Sequence, residues 1–133
     1  MKTWYFNLVG PVPSKKNSKR IVSLKGGRKA LISSKGYLGW EKRATIDLMG
    51  QGKPAMPLDS TDMVTVTFGM SSKRRRDLSN MVEGVMDALV SVGILSDDNW
   101  IVVPELRIIG QKSDHDFVLV EIQTEQEEVK CRK

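Results

Sequence analysis

DMVTVTFGMSSKRRRDLSNMVEGVMDALVSVGILSDD, residues Asp62 to Asp98, changes its hydrophobic period partway along, and that change decides the fold class. In Asp62–Met70 the residues Val64, Val66, Phe68 and Met70 alternate with Thr65, Thr67 and Gly69, the pattern of a half-buried strand. Ser71–Asp77 is a charged turn. From Asn80 to Val92 the period becomes helical, with Val82, Val85, Met86 and Leu89 as the apolar stripe and Gly93 at the expected end. Ser79 or Asn80 is the expected N-cap, since either side-chain oxygen can accept a first-turn N–H.

Outward from this segment, Thr3–Val9 is short, aromatic-rich and β-prone, and Gly10-Pro11-Val12-Pro13 ends it. Ser14 to Lys29 is polar, basic and glycine-containing, a long loop or a hairpin turning at Gly26-Gly27. Ala30–Ser33 reads as a short strand, Leu38–Met49 as a helix, and Gly50–Pro57 as a connector. Beyond Asp98, the expected strands are Trp100–Ile109 and Asp116–Ile122, joined by a polar turn over Gly110–His115. The charged residues from 124 to 133 are expected to fray. The order β–loop–β–α–β–α–β–β predicts one α+β domain over 1–133, a two-layer sandwich in which two helices cover one face of a mixed sheet.

With 133 residues, 40% hydrophobic and 28% charged, the composition is that of an ordinary globular domain and excludes a disordered or fibrous chain. No apolar run approaches the ~20 residues that span a bilayer, which predicts no membrane role. The amino terminus reads as a strand and not a signal peptide, and Cys131 is the only cysteine. The expected compartment is therefore the cytoplasm. Charge is divided: residues 1–60 carry 12 Lys+Arg against 3 Asp+Glu, net +9, and residues 61–133 carry 9 against 13, net −4. Such a division suggests a polyanion-binding surface beside something that needs carboxylates.

On the helix beginning near Asn80, Asn80, Glu83, Asp87 and Ser91 share one face at spacings of three or four. Asp77 lies just ahead of the helix, and Asp97-Asp98 lie in the loop that leads into the next strand. If that strand neighbours Asp62–Met70, up to five carboxylates meet in one cleft and call for a cation, naturally Mg²⁺, with Mn²⁺ as a substitute. A metal-carboxylate cleft beside a basic surface suits phosphodiester hydrolysis. Spacing alone leaves a second reading level with this one: Asp77 caps the helix, Glu83 and Asp87 are its solvated face, and Asp97-Asp98 make a turn.

The stretch RRRDLSNMVEGVMDALVSVGILSDD, Arg74 to Asp98, resembles the RusA family of Holliday junction resolvases. The family pattern is approximately Asp-x-Asp-Asn, six residues, Asp-Ala-Leu, a Gly, and a short step to Asp-Asp. Asp77, Asn80, Asp87-Ala88-Leu89, Gly93 and Asp97-Asp98 take those positions here. The resemblance implies a RusA-like fold and a homodimer that binds branched DNA, four-way junctions above all, and nicks opposing strands in recombination and repair. It implies Asp77, Asp87, Asp97 and Asp98 as the catalytic acidic cluster, with Asp77, Asp98 and Asp97 on the metal and Arg76 on a DNA phosphate.

Two positions depart from the pattern. Ser79 stands where the family has its second aspartate, and Glu83 where it has a helix lysine. Glu83, one turn beyond Ser79, can supply the missing carboxylate and joins the catalytic candidates; the alternative is an impaired RusA-like protein that binds branched DNA without efficient cleavage. Lys15, Lys16, Lys19, Arg20, Lys25, Arg28 and Lys29, with Lys73, Arg74, Arg75 and Arg76, are the candidate DNA-binding residues, an electrostatic and sequence-independent set. Tyr37 and Trp40 read as core or dimer-contact aromatics, His115 as a polar turn residue, and Trp100 as the anchor of the acidic loop in the core.

Overall fold

The alternation read in Asp62–Met70 is present as a strand, β4 (Met63–Met70), with Val64, Val66 and Phe68 buried. Around it the computed structural model, which describes residues 1–13, 19–23, 26, 27, 29–33, 35–72 and 77–127, has β1 (Lys2–Val9), β2 (Lys19–Ser23), β3 (Lys29–Ser33) and α1 (Lys35–Met49) before β4. After it come α2 (Leu78–Ser91), β5 (Leu106–Lys112) and β6 (Phe117–Thr124). Four strands form one sheet in the order β1-β6-β4-β5. β6 is antiparallel to both β1 and β4, while β4 and β5 run parallel, so the sheet is mixed as expected. A parallel pair needs a long crossover, and α2 is the helical part of it.

Register aligns the apolar residues into rows across the sheet. Trp4, Ile122, Val64 and Leu106 form one row; Phe6, Val120, Val66 and Ile108 the next; Leu8, Val118, Phe68 and Gly110 the third. Tyr37, Ala44 and Leu48 of α1 are buried in the same layer of the molecule as Met81, Val82, Val85, Met86, Ala88 and Leu89 of α2. α1 touches β1 and α2, and α2 touches β5, so the two helices divide this face between them. The opposite face carries Tyr5, Glu121, Thr65 and Arg107 in one row and is half-exposed or exposed throughout it. β2 and β3 make a separate two-stranded antiparallel sheet whose turn contains Gly26 and Gly27, both at positive φ, the hairpin form of the basic segment.

The last third of the chain departs from the sequence pattern. The strand expected from Trp100 begins only at Leu106, because Asn99 folds the intervening residues into a turn. Its Oδ1 accepts from the N–H groups of Ile101 (3.0 Å) and Val102 (3.1 Å), and its carbonyl accepts from Val103 N–H (2.9 Å). Val102 and Val103 are buried, but Trp100 is exposed to solvent, so it does not anchor this loop in the core. β5 then runs through Gly110 to Lys112, across part of the expected turn. β6 continues to Thr124, which is fully buried and donates to the Ser60 carbonyl at 2.7 Å. Gln126 accepts from Asp59 N–H at 2.8 Å, so the start of the charged tail is tied to the body. Tyr37 is a core residue and Trp40 packs against the core, within the reading made of them.

Gly69 lies against the ring of Phe117, and a Cβ there would overlap the ring's Cδ1–Cε1 edge. Gly39, on α1, has open space around it. Gly69→Ala is therefore expected to destabilise the fold by about 2 kcal/mol or more through overpacking, and Gly39→Ala to stabilise it by about 0.5–1 kcal/mol. Urea midpoints of the two variants check both signs.

Candidate active site

Asp77 stands at the amino end of α2, in extended conformation (φ −82°, ψ 111°), and is its N-cap. Its Oδ1 accepts from Ser79 N–H (3.1 Å) and Ser79 Oγ–H (2.7 Å), and its Oδ2 from the Asn80 side-chain amide (3.3 Å). The cap is thus two residues before Ser79 and three before Asn80. The carboxylate takes the position because it accepts several hydrogen bonds at once and its charge faces the positive end of the helix dipole. Ser79 and Asn80, the two expected caps, orient it.

Along α2 the polar face runs as the spacing predicts. Glu83 and Ser91 are exposed, Asn80 and Asp87 half-buried, and Met81, Val82, Val85, Met86 and Leu89 face the core or sit at its rim. Gly93, at φ +81°, ends the helix in the left-handed region. Leu95 is then pinned against Leu58: Leu58 N–H donates to the Ile94 carbonyl (2.9 Å) and Ser96 N–H to the Leu58 carbonyl (3.0 Å). Beyond this clamp lie Asp97 and Asp98, both exposed. Asp97 Oδ1 accepts from Asp98 N–H at 2.7 Å, and Asp97 Oδ2 accepts from the Asn99 amide at 3.1 Å. The Asp98 carboxyl is pushed above the usual carboxylate range by partial loss of hydration, then by its contact with Asp97 and that residue's charge, and further by the charge of Asp87. Asp87, Asp97 and Asp98 therefore form one electrostatic group.

Asp77 stands apart from it. Ten residues separate Asp77 from Asp87, about 15 Å along a helix axis at ~1.5 Å per residue. The sheet gives the same answer. Asp77 follows the carboxyl end of β4, whereas the Asp97–Val103 loop is held at the amino end of β4 by Thr61, whose N–H (2.9 Å) and Oγ–H (2.7 Å) both donate to the Val102 carbonyl. Among the described residues no three His, Cys, Asp or Glu side chains are placed to share a metal ion. The single cleft of up to five carboxylates is corrected to Asp77 at the start of α2, Asp87 with Asp97 and Asp98 toward and beyond its end, and Glu83 between them, because a helix separates residues along its axis even when they share a face.

Most of the candidate DNA-binding set lies outside the described residues: Lys15, Lys16, Lys25, Arg28, Lys73, Arg74, Arg75 and Arg76. Lys19 and Arg20 are on β2 and Lys29 on β3, in register with Ser33, Ile32 and Ser23. A residue that sequence reasoning missed is Lys112. With Met70, Ser71, Ser72 and Ser113 it lines a cleft of about 210 Å³ at the carboxyl ends of β4 and β5, where parallel strands commonly present ligand sites. Ser71 is fixed there by Asp116, whose Oδ1 accepts from its N–H (2.8 Å) and Oγ–H (3.2 Å). Leu78, next to Asp77, packs toward Gly110 of the adjoining strand. The signal was absent from the sequence because Lys112 was read in a turn and its parallel partner was unknown. His115 is an exposed turn residue, its Nδ1 2.7 Å from Asp114 Oδ1, which holds the Asp114 carboxyl below its ordinary value.

Comparison with known proteins adds two findings. A family model described as endodeoxyribonuclease RusA matches residues 10–123. The crossover junction endodeoxyribonuclease RusA of Aquifex aeolicus (strain VF5) is 31% identical over 91 residues, 68% of each chain.

The raised Asp98 carboxyl has a defined effect on stability. The native state holds this proton more tightly than the unfolded chain, so the ionised group costs stability. The cost is absent below the ordinary carboxylate value, grows as pH rises through it, and is complete above the raised native value. Asp98→Asn is expected to raise the melting temperature at pH ~7 and to leave it unchanged near pH ~3. Thermal melts of both proteins at the two pH values check this.

Proposed function

The chain belongs to the RusA family of endodeoxyribonucleases, and on that premise we propose that it resolves four-way Holliday junctions by paired phosphodiester hydrolysis in DNA recombination and repair. The observation that carries the reading is the family match across 10–123, which includes Asp77, Asp87, Asp97 and Asp98 in their order. Among the described residues no helix is long and apolar enough to cross a membrane.

A divalent cation, Mg²⁺ or Mn²⁺ in its place, fits the donor set. The donors are hard carboxylate oxygens, and the carboxylate crowding that adds to partial loss of hydration in lifting the Asp98 carboxyl is what a cation would relieve. Asp98 and Asp97 of one protomer with Asp77 of its partner would hold it, and when bound it would supply a water of lowered pKa and neutralise charge on the phosphoryl oxygen. Asp87 and Glu83, on the same helix face, would maintain the anionic field and position water. Arg76 and the adjoining Lys73, Arg74 and Arg75 would neutralise the phosphate, and Lys112 in its serine-lined cleft would hold a neighbouring one. The basic segment with Lys15, Lys16, Lys19, Arg20, Arg28 and Lys29 would carry the junction arms, a contact that weakens steeply with salt.

A homodimer answers the separation of the carboxylates. Asp77 of one protomer and the Asp98 group of its partner would complete a centre that the single chain leaves divided.

Incubation of a labelled four-way junction and a matched linear duplex, with and without Mg²⁺, tests the function. Paired nicks are expected in the junction alone and only with metal. Asp77→Asn is expected to slow them about a hundredfold or more while junction binding persists. Tight junction binding without nicks in Mg²⁺ or Mn²⁺ would favour the binding-only reading, with Ser79 marking a lost ligand. A shared centre has its own test: mixing inactive Asp77→Asn and Asp98→Asn proteins regenerates one intact site per mixed dimer and hence single nicks. A centre built within each chain would stay dead in the mixture.

A further inference from the structure

Trp100 has the most exposed large apolar side chain among the described residues, at 78%, and Ile101 beside it is exposed at 66%. Water is a poor environment for both, and their exposure does not come from a loose segment. Asn99 accepts from the N–H groups of Ile101 and Val102 through Oδ1 and from Val103 through its carbonyl. The next two residues, Val102 and Val103, are buried, and Val102 is bonded twice to Thr61. The turn is therefore anchored on both sides and holds the indole outward, two residues from Asp98.

The surroundings select the occupant. Asp97 and Asp98 precede the indole by three and two residues, so a bare phosphate is disfavoured on this turn, whereas a flat neutral ring is not. An aromatic side chain buries only ~150–250 Å² against the ~800 Å² a stable interface takes from each partner, so the Trp100–Ile101 pair is not an interface by itself even where a second copy lies nearby. Given the junction-cutting reading above, on which this inference rests, bases at a branch point are the flat rings that are already partly unstacked and within reach of the acidic group.

We propose that Trp100, backed by Ile101, is a nucleobase-stacking residue that engages an unstacked base at the branch point beside the Asp98 group. Stacking on an aromatic face tolerates any base, so the contact contributes preference for branched over linear DNA and not for a sequence. Ile101 supports the edge of the stack, as apolar wedges do where proteins open a base step.

The test uses the full-length protein, Trp100→Ala and Trp100→Phe, a four-way junction carrying 5-iodouracil at the branch point, and a matched duplex. Trp100→Ala is expected to keep the wild-type melting temperature and duplex affinity, to lose about tenfold in junction affinity, and to lose a photocrosslink that wild type forms at Trp100. Trp100→Phe is expected to retain most of both. Unchanged junction affinity and crosslinking in Trp100→Ala, with wild type still preferring the junction, overturns this inference alone. A shift of Trp100→Ala to monomer in sedimentation overturns it in favour of a subunit contact. Wild type with no preference for the junction overturns the junction reading and this inference with it.

Discussion

Two parallel strands cannot be joined by a tight turn, and that constraint on β4 and β5 arranges the rest of the molecule. The chain leaves β4 at Met70 and must return to the opposite end of the pair before starting β5 at Leu106, and α2 is the return path. Lying against β5, it gives the sheet half of its cover; α1, against β1 and α2, gives the other half. Ser71, Ser72 and Asp77, where the return opens, and Asp97 to Val103, where it closes, are consequently held at opposite ends of β4. The first group collects Asp77, its two hydrogen-bonding neighbours and the Lys112 cleft. The second collects Asp87, Asp97, Asp98 and the outward-facing Trp100.

The two groups differ in how their charge is tolerated. Asp77 sits at a helix amino terminus, facing the positive end of the helix dipole, and accepts three hydrogen bonds. Asp98 has the opposite surroundings, and its carboxyl is raised first by partial loss of hydration, then by contact with one carboxylate and the field of another. A basic amino-terminal half compensates this negative charge across the chain as a whole, +9 against −4, but it does not cancel the local crowding around Asp98. Local crowding of hard oxygen donors is the feature that suits a divalent cation, and long-range positive charge is the feature that suits DNA.

Element type was legible wherever hydrophobic period was clean. Val64, Val66 and Phe68 at period two, and Val82, Val85, Met86 and Leu89 at helical spacing, are buried where the pattern put them. Boundaries were less legible because they depend on single hydrogen bonds. Asp77, Ser79 and Asn80 are all good caps, and only the backbone path chose Asp77 and made the others its donors. The run Trp100-Ile101-Val102-Val103 is as β-prone as any in the chain, yet Asn99 turns it back before a ladder forms. Its alternation could not reveal that Val102 and Val103 go in while Trp100 and Ile101 stay out.

By itself, then, the sequence determined the α+β class, the helix and strand of Asp62–Gly93, the identity of the acidic residues and the family they resemble, because period and spacing are local properties. Tertiary structure alone decided which strand lies beside β4, and therefore that Asp77 and Asp98 are held apart, that Lys112 joins Ser71 and Ser113, and that Trp100 faces solvent. These depend on non-local pairing and on the axial length of α2, and no local pattern encodes a distance between residues that the chain brings together only by folding.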